Sequence, residues 1–272
     1  MRSLLTSFVL AAALAACAGP ALEPPPDRPL VLLGEVHDNA EGHRLRLQAF
    51  DAMLARGDRP VLVMEQFDRQ DQPALDAALA RRPAPDAGAL VAEVLAARPA
   101  RAQAMGGSGW NWSFYEPFIE RALRHGLPIV AANVGREEAR RVMREGLAAH
   151  GFDASVPEDV LTGIARDIER SHCGHIDAVL ARRMALAQVA RDQQMARAVE
   201  AHAGRGALLL AGNGHVRTDL GVPRWLTPQA RARSVAIGVL EPGDDTAVFD
   251  RWLVVPEQTR TDPCAGMKKP AG

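Results

Sequence analysis

The stretch Leu30–His37 reads LVLLGEVH, and the fold follows from it because the same arrangement recurs three more times in the chain. In each case four apolar residues are followed, within a few residues, by a charged or amide residue. The recurrences are Val61–Glu65 (VLVME), Ile129–Asn133 (IVAAN) and Leu208–His215 (LLLAGNGH). Short apolar runs separated by helical patterns predict buried parallel strands, so the sequence favours an α/β sheet.

The polar residues that follow these strands are expected to meet at one edge of the sheet. Parallel strands end on the same side, and ligands of open α/β sheets bind just beyond those ends. A helix that leads into a parallel strand begins at that same edge. The predicted neighbourhood therefore combines residues from strand ends and helix starts: Glu35, His37, Glu65, Trp112, Tyr115, Asn133, His172, His175 and His215.

The predicted fold class is α/β, with a central, mainly parallel sheet flanked by helices and a smaller all-helical subdomain. The α/β core is assigned to residues 30–69, 106–135 and 186–258, with Ser234–Leu240 and Val248–Val255 completing the sheet. The helical patterns of residues 70–105 and 136–185 assign them to the subdomain. Residues 259–272 form a C-terminal tail.

Helix signals lie between the predicted strands. Asp38 or Asn39 can cap a first helix that runs to about Arg56, with Leu47, Phe50 and Leu54 as its buried stripe. The other predicted helices are about Tyr115–His125, Arg136–His150, Pro157–Arg170 and Ile176–His202. The histidines at helical or terminal positions, His43, His125, His150 and His202, are expected to face solvent.

Length and charge limit the possible partners. At 272 residues and 47% hydrophobic content, the chain can bury a full core as one large domain or as one and a half domains. The formal net charge is −1, and lysine occurs only at Lys268 and Lys269, so the basic residues are nearly all arginine. This near-neutral balance gives no electrostatic argument for nucleic acid, and no nucleic-acid partner is expected.

The N-terminal segment has the pattern of a secretory signal. Arg2 precedes an apolar stretch, Leu4–Ala16, that is too short for a stable membrane helix. It ends in LAAC, similar to the lipobox of bacterial lipoproteins, so residues 1–16 are predicted to be removed and Cys17 to be acylated. The alternative is an ordinary signal peptide with a chance cysteine. No aspartate follows Cys17, which favours a lipid anchor at the periplasmic face of the outer membrane, with residues 17–29 as a proline-rich tether.

Cys173 and Cys264 are the two remaining cysteines. In an oxidising compartment an even pair most simply forms a disulfide, which would join the C-terminal tail to the body of the protein. The alternative is that one of them is a thiolate ligand or nucleophile.

Glu35, His37 and Glu65 are the first candidates for chemistry. A carboxylate and an imidazole on a loop that leaves a strand suit metal ligation, acid–base catalysis or propionate binding. The structural alternative is that Glu35 caps a helix and His37 bonds to backbone. Glu65 follows four apolar residues, where a carboxylate is costly unless it is paired, and Arg44 and Arg69 are the candidate structural partners.

The segment Gly212–Arg217 reads GNGHVR and is the stronger signal. Its glycines allow a sharp turn and a close approach to a ligand, while His215 and Arg217 supply a titratable donor and a permanent cation. The alternative is a tight turn with polar side chains on the surface.

Tyr115 is the only tyrosine in the chain and follows Trp110, Trp112 and Phe114. Such a cluster can form the wall of a flat apolar ligand, and tyrosine is an axial ligand of haem iron in some proteins. The alternative is a hydrophobic cluster that packs a helix start. His172 and His175 precede another helix and could bind a metal or an anion such as a propionate.

Seven segments together resemble the ChaN-like family of haem-binding lipoproteins. They are Leu32–Asp38, Val63–Phe67, Trp112–Pro117, Ile129–Asn133, Ser171–His175, Arg191–Ala196 and Ala211–Pro223. The resemblance implies haem as the cofactor, a role in iron acquisition, Tyr115 as the axial ligand, and His172 or His175 near the propionates. His215 and Arg217 are also expected to contact propionates or orient the haem. A homodimer and an outer-membrane haem transporter are possible partners.

The rival interpretation is an enzyme. The Gly-Glu-x-His loop and the distant Gly-x-x-His loop are similar to those of erythromycin esterases and TIKI metalloproteases. In that case Glu35, His37, Glu65 and His215 would bind a divalent metal or activate water for hydrolysis. Haem binding needs Tyr115 and the aromatic wall, whereas hydrolysis needs the glutamates and histidines.

Overall fold

The structure is a computed structural model, and it describes residues 22–81, 83–99, 109–262 and 264–265. The predicted signal peptide, Cys17 and most of the tail beyond Cys264 lie outside the described residues. So do three of the four residues of the glycine-rich joint before Trp110, at positions 106–108.

Six parallel strands form the sheet, which confirms the α/β class. They are β1 (Leu30–Leu33), β2 (Val61–Asp68), β3 (Ile129–Asn133), β4 (Ala207–Leu210), β5 (Ser234–Leu240) and β6 (Arg251–Val254). Their spatial order is β3-β2-β4-β1-β5-β6. Every pair of neighbouring strands is parallel. All strands therefore end at one edge, as the sequence predicted.

Nine helices surround the sheet in the part of the chain that the structure describes. They are α1 (Ala40–Ala55), α2 (Gln72–Leu79), α3 (Ala87–Ala96), α4 (Glu116–Arg124), α5 (Arg136–Glu145), α6 (Glu158–Ser171), α7 (Ala178–Ala201), α8 (Asn213–Val216) and α9 (Pro228–Ala232). The predicted cap of the first helix is Asn39, whose side chain accepts a hydrogen bond from the Gly42 amide. Every predicted helix is present, with ends that differ by a few residues.

The strand register brings the site residues level with one another. Leu33 of β1 and Met64 of β2 are both paired with Leu210 of β4. The next residues along these strands, which include Glu35, Glu65 and Gly212, therefore leave the sheet side by side. This register is the reason that loops almost 180 residues apart in sequence form one site.

The two faces of the sheet have separate hydrophobic cores. Alternate residues of β1 point to opposite faces, with Val31 and Leu33 on one side and Leu30 and Leu32 on the other. Helices α1 to α4 cover the first face, and the C-terminal half of α7 covers the second. A third cluster joins α5, α6 and the N-terminal half of α7.

The helices α2 and α3 belong to the core of the first face. Leu75, Leu90 and Val94 are fully buried in the same cluster as Val31 and Tyr115. Helices α5 and α6 have a cluster of their own. The two segments assigned to a helical subdomain thus pack in different places, and the division of the chain into domains stays a prediction.

Cys173 and Cys264 form a disulfide with a Cα–Cα distance of 5.7 Å. It joins the turn between α6 and α7 to the C-terminal tail, as predicted. Among the residues that the structure describes, the helices are all too short or too polar to cross a bilayer.

Candidate functional site

A pocket of about 490 Å³ lies at the carboxyl edge of the sheet and is called the edge pocket here. Residues that follow β1, β2, β3 and β4 all contribute to its lining, together with α5 and α7. Its few apolar side chains are Pro99, Trp110 and Val134. The polar side chains that line it include His37, Glu65, Asn133, Gln188, Arg191 and His215.

Glu35 is buried beside the edge pocket and accepts hydrogen bonds from three side chains. One carboxylate oxygen, Oε1, accepts hydrogen bonds from His37 Nδ1 at 2.8 Å and from the Tyr115 hydroxyl at 2.5 Å. The other, Oε2, accepts from the guanidinium of Arg46. Arg46 itself is completely buried. A buried carboxylate is tolerated here because a cation and two further donors satisfy it.

The charges around Glu35 fix the protonation states of its neighbours. Burial alone would raise the pKa of Glu35, but the ion pair with Arg46 and the two nearby histidines lower it to about 2. Burial, reinforced by the charge of Glu35, raises the pKa of Tyr115 far above its usual value, so the phenol keeps its proton. Burial would lower the pKa of His37, but its hydrogen bond to Glu35 raises it overall.

His43 completes this network and was expected to face solvent. That expectation is wrong: His43 is 4% exposed and stacks on Phe114 with a ring-centroid distance of 4.3 Å. Its Nε2 lies 3.0 Å from the His37 carbonyl oxygen, and Arg46 donates to its Nδ1. Burial and the Arg46 charge lower the pKa of His43 to about 4, so it is neutral at pH 7 and holds the His37 backbone in place.

A second imidazole, His215, faces the edge pocket from the short helix α8. Its Nδ1 lies 2.6 Å from Oδ1 of Asp192, and its Nε2 lies 3.5 Å from Oε1 of Glu65. The other oxygen of Glu65 accepts a hydrogen bond from the Gly212 amide at 2.8 Å. Burial raises the pKa of Asp192 to about 6, against the opposing effect of His215. Burial would lower the pKa of His215, but Asp192 and Glu65 raise it overall.

The two imidazole systems meet at Gly212. A Cβ atom at this position would lie 3.0 Å from His37 Cε1 and 3.9 Å from Glu65 Oε2. A side chain here would have to displace the ring of His37, because the β4 loop passes this close to it. The glycine-rich sequence after β4 thus allows the close approach that the sequence predicted, although the approach is to protein side chains.

The chain is related to a known protein family. The sequence profile of the family described as "Haem-binding uptake, Tiki superfamily, ChaN" matches residues 25–226. The chain belongs to this family. Because this family binds haem, haem is the cofactor of the chain. A search of curated protein sequences finds no match.

Three solved structures are similar to this chain, and the first of them shares its fold. ChaN of Campylobacter jejuni, whose structure is described as showing cofacial haem binding, is 21% identical with a TM-score of 0.65, over 82% of this chain and 86% of that one. An erythromycin esterase variant in its open conformation is 13% identical (TM-score 0.44, 80% and 71% of the two chains). A toxin effector domain of Vibrio vulnificus is 16% identical (TM-score 0.43, 84% and 37%).

Some of the predicted site residues line the edge pocket, and others do not. His37, Glu65, Asn133 and His215 line it, and Glu35 lies directly behind His37. This set includes all four residues of the hydrolase alternative. The partners suggested for Glu65 are wrong, because Arg44 pairs with Glu41 and Arg69 pairs with Glu138.

The remaining residues predicted to contact haem lie elsewhere. His172 and His175 are exposed beside the disulfide and do not line the edge pocket. Arg217 is held by Asp219 and Asp167. Tyr115 is fully buried, with Trp110, Trp112 and His43 around its ring. Its assignment as the iron ligand stays a prediction, and in this structure its oxygen is bonded to Glu35.

Sequence reasoning missed Arg46 and His43, and it gave Asp192 no role. A signal was present for the first two: His43, Arg46 and Phe50 recur at spacings of three and four on the buried face of α1. A charged residue on such a stripe indicates a buried partner. Asp192 gave a weaker signal, since nothing local pairs it with His215.

Proposed function

We propose that the protein binds haem non-covalently in the edge pocket. One observation carries the proposal: an exposed imidazole, His37, stands at the pocket with its Nδ1 held by a buried carboxylate, in a chain of the haem-binding ChaN family. Metal-ligating histidines commonly have this arrangement, because the carboxylate fixes the tautomer and leaves Nε2 free to bind.

Part of the edge pocket's lining suits haem, and five carboxylates (Glu65, Asp68, Asp71, Glu137 and Glu138) also line it. Its volume of about 490 Å³ lies within the usual range for small-ligand sites. Haem supplies an iron that takes an axial nitrogen or oxygen donor. Trp110 and Val134 offer apolar contact to the ring. Arg191, which donates hydrogen bonds to Gln188 Oε1 and to the Val134 carbonyl oxygen, offers a cation to the propionates.

The site is tested by blocking the edge pocket. Gln188 lines it from α7, so Gln188→Trp places a large side chain inside, whereas Arg183→Trp makes the same change at an exposed position on the same helix. Hemin titration, followed by the Soret absorption, is expected to saturate in the wild type and in Arg183→Trp. In Gln188→Trp we expect the affinity to fall by more than about tenfold. Equal affinities for all three proteins would place haem elsewhere.

We also propose that the protein is a lipoprotein, anchored through Cys17 at the periplasmic face of the outer membrane, with a role in haem or iron acquisition. The LAAC motif supports the anchor, and the Cys173–Cys264 disulfide supports an oxidising compartment. A homodimer and an outer-membrane haem transporter are its proposed partners. Palmitate labelling of cells is expected to mark the wild type and not Cys17→Ser; an unlabelled wild type would refute the anchor.

A metal-dependent or water-activating hydrolase is the second candidate. The observation that favours it is the series Asp192–His215–Glu65 beside Glu35 and His37. Asp192 is hydrogen-bonded to His215 Nδ1, and Glu65 Oε1 lies 3.5 Å from His215 Nε2, which matches an imidazole oriented by a carboxylate for general-base work. The residues needed for hydrolysis all lie at one pocket, although no group of three or more His, Cys, Asp or Glu in the described ranges is arranged to hold a metal ion.

Ester hydrolysis by the haem-free protein tests this candidate. If the protein is a hydrolase, Glu65→Gln and His215→Ala should each lower the rate for an aryl ester by at least about 100-fold, within the usual contribution of general acid–base catalysis. The exposed variant His175→Ala is the control. A wild-type rate no higher than that of Glu65→Gln would remove hydrolysis from consideration.

A further inference from the structure

We propose that the edge strand β6 lies against the bilayer that carries the protein's lipid anchor. This contact rests on the proposed acylation of Cys17, and it goes beyond that proposal by naming the surface that meets the lipid. The N-terminal segment leaves the described fold beside β6, and an exposed apolar pair lies on the same strand.

The N-terminal segment is held on the fold as far as Leu22. Near the start of β1, Arg28 Nη1 donates a hydrogen bond to the Ser234 carbonyl oxygen at 3.1 Å. Closer to the N-terminus, Arg251 Nη1 of β6 donates to the Glu23 carbonyl oxygen at 3.1 Å. Leu22 then lines a groove of about 270 Å³, whose other apolar members are Ile237, Trp252 and Leu253. The chain that leads to the anchor therefore departs at β6.

The connection between this place and the anchor is short. Cys17 and Leu22 are five residues apart in the sequence, and five fully extended residues span at most about 17 Å. A domain of about 250 residues has a radius of gyration of about 18 Å, so its diameter exceeds this reach. The bilayer must therefore meet the protein near Leu22.

The surface of β6 has the residues of an interfacial contact. Trp252 is 50% exposed and Val254 is 48% exposed. They are two residues apart, so they project from the same face of the strand. Only two other large apolar side chains are exposed in the described ranges, Val179 and Leu180 on α7. Tryptophan is enriched where a membrane meets water, because its ring is apolar and its N–H can bond to polar groups.

The charges of the groove indicate a contact that does not depend on anionic lipid. Among the described residues that line it, Arg251 is the one cation, and Glu23 and Asp250 are carboxylates. These charges give the bilayer no net attraction. We therefore expect the contact to depend on apolar insertion and to be insensitive to salt.

This orientation turns the edge pocket away from the membrane. Asn133 and Val134, at the end of β3, line that pocket. Strands β3 and β6 are the two outermost strands of the sheet, so five strand spacings, about 24 Å, separate them. A ligand would thus enter the edge pocket from the periplasm and not from the bilayer.

Fluorescence quenching by brominated lipid tests the contact. The lipidated protein is reconstituted into vesicles of phosphatidylcholine with brominated acyl chains, and the emission of Trp252 is taken as the difference between the wild type and Trp252→Phe. We expect about half or more of this emission to be quenched, equally at low and high salt, as for an interfacial tryptophan. The matched control combines Trp252→Phe with Val179→Trp, which moves the tryptophan to an exposed apolar position on α7. Its emission should not be quenched.

The possible failures can be told apart. A lipidated, vesicle-bound wild type with unquenched Trp252 would overturn the contact and leave the anchor intact, and so would equal quenching in the control. A blue shift of Trp252 emission with rising concentration of the unlipidated mature chain, without vesicles, would show that a second copy covers β6 and would overturn the contact too. A mass that shows no lipid on Cys17 would overturn the anchor and the contact together.

Discussion

The two imidazoles of the edge pocket are held in the same way but in opposite electrostatic settings. His37 rests on Glu35, a buried carboxylate whose pKa is lowered to about 2. His215 rests on Asp192, an equally buried carboxylate whose pKa is raised to about 6. The outer end of His37 is open, whereas that of His215 faces Glu65.

Arg46 is the reason for the difference. Its guanidinium forms an ion pair with Glu35 inside the protein, so the charged form of Glu35 is favoured although burial opposes it. Within the described residues no arginine forms an ion pair with Asp192. His215 and, more weakly, Arg191 oppose the effect of burial, which dominates. The comparison shows that one neighbouring charge decides whether the carboxylate of a carboxylate–imidazole pair stays ionised or titrates near neutral pH.

Removing Arg46 should have the largest effect. Arg46→Met leaves Glu35 as an uncompensated buried charge, and we expect the free energy of unfolding to fall by about 3–5 kcal/mol. The pKa of Glu35 should then rise. Urea unfolding measures the first effect, with Arg44→Met as the matched control, because Arg44 lies on the same helix in an exposed pair with Glu41. A loss of stability no larger than that of the control would show that Arg46 does not stabilise the charged form of Glu35.

Asp192→Asn should change the pH dependence of stability. Between the usual pKa of 3.8 and the folded value of about 6, the folded protein binds a proton at Asp192 that the unfolded chain does not. Rising pH therefore lowers the stability of the wild type relative to the variant, by up to about 3 kcal/mol over this window. The raised pKa of His215 adds a loss of the same sign at higher pH.

The effect of pH on stability has the opposite sign at Glu35, the carboxylate that holds His37. Glu35 contributes stability that is present above its usual pKa of 4.5 and is lost as the pH falls toward about 2. Unfolding of the wild type and Asp192→Asn between pH 3.8 and about 6 measures the effect at Asp192, with Asp159→Asn, an exposed carboxylate on α6, as the control. If the difference in unfolding free energy between the wild type and Asp192→Asn does not vary with pH, Asp192 does not titrate in this range.

Gly212→Ala should have the smallest effect on stability and a clear effect on the site. The added methyl would lie 3.0 Å from the His37 ring, which is exposed enough to shift, so we expect a loss of about 1 kcal/mol, the low end for overpacking. Hemin affinity should fall as His37 is displaced. Gly214→Ala is the control, since its Cβ would meet nothing within 4 Å. Equal hemin affinities in both variants would indicate that the position of His37 is unimportant.

Much of the site's location could be predicted from the sequence. Four apolar runs of strand length, each followed by polar residues, placed Glu35, His37, Glu65 and His215 at one edge. The prediction succeeded because parallel strands must all end on the same side. It was less successful for His172, His175 and Arg217, because the residues at helix starts and in long loops are positioned by packing, which no local pattern records.

The sequence alone determined the class of fold, the edge at which the polar residues meet, the family and the pair of cysteines that bond. These depend on hydrophobic periodicity, strand direction and short motifs, which are local properties of the chain. Only the tertiary structure decided that Tyr115 lies behind Glu35, that Arg46 and His43 are buried with it, and that Asp192 supports His215. Such pairings join residues from 11 to 80 positions apart, and they form only when the helices have packed against the sheet.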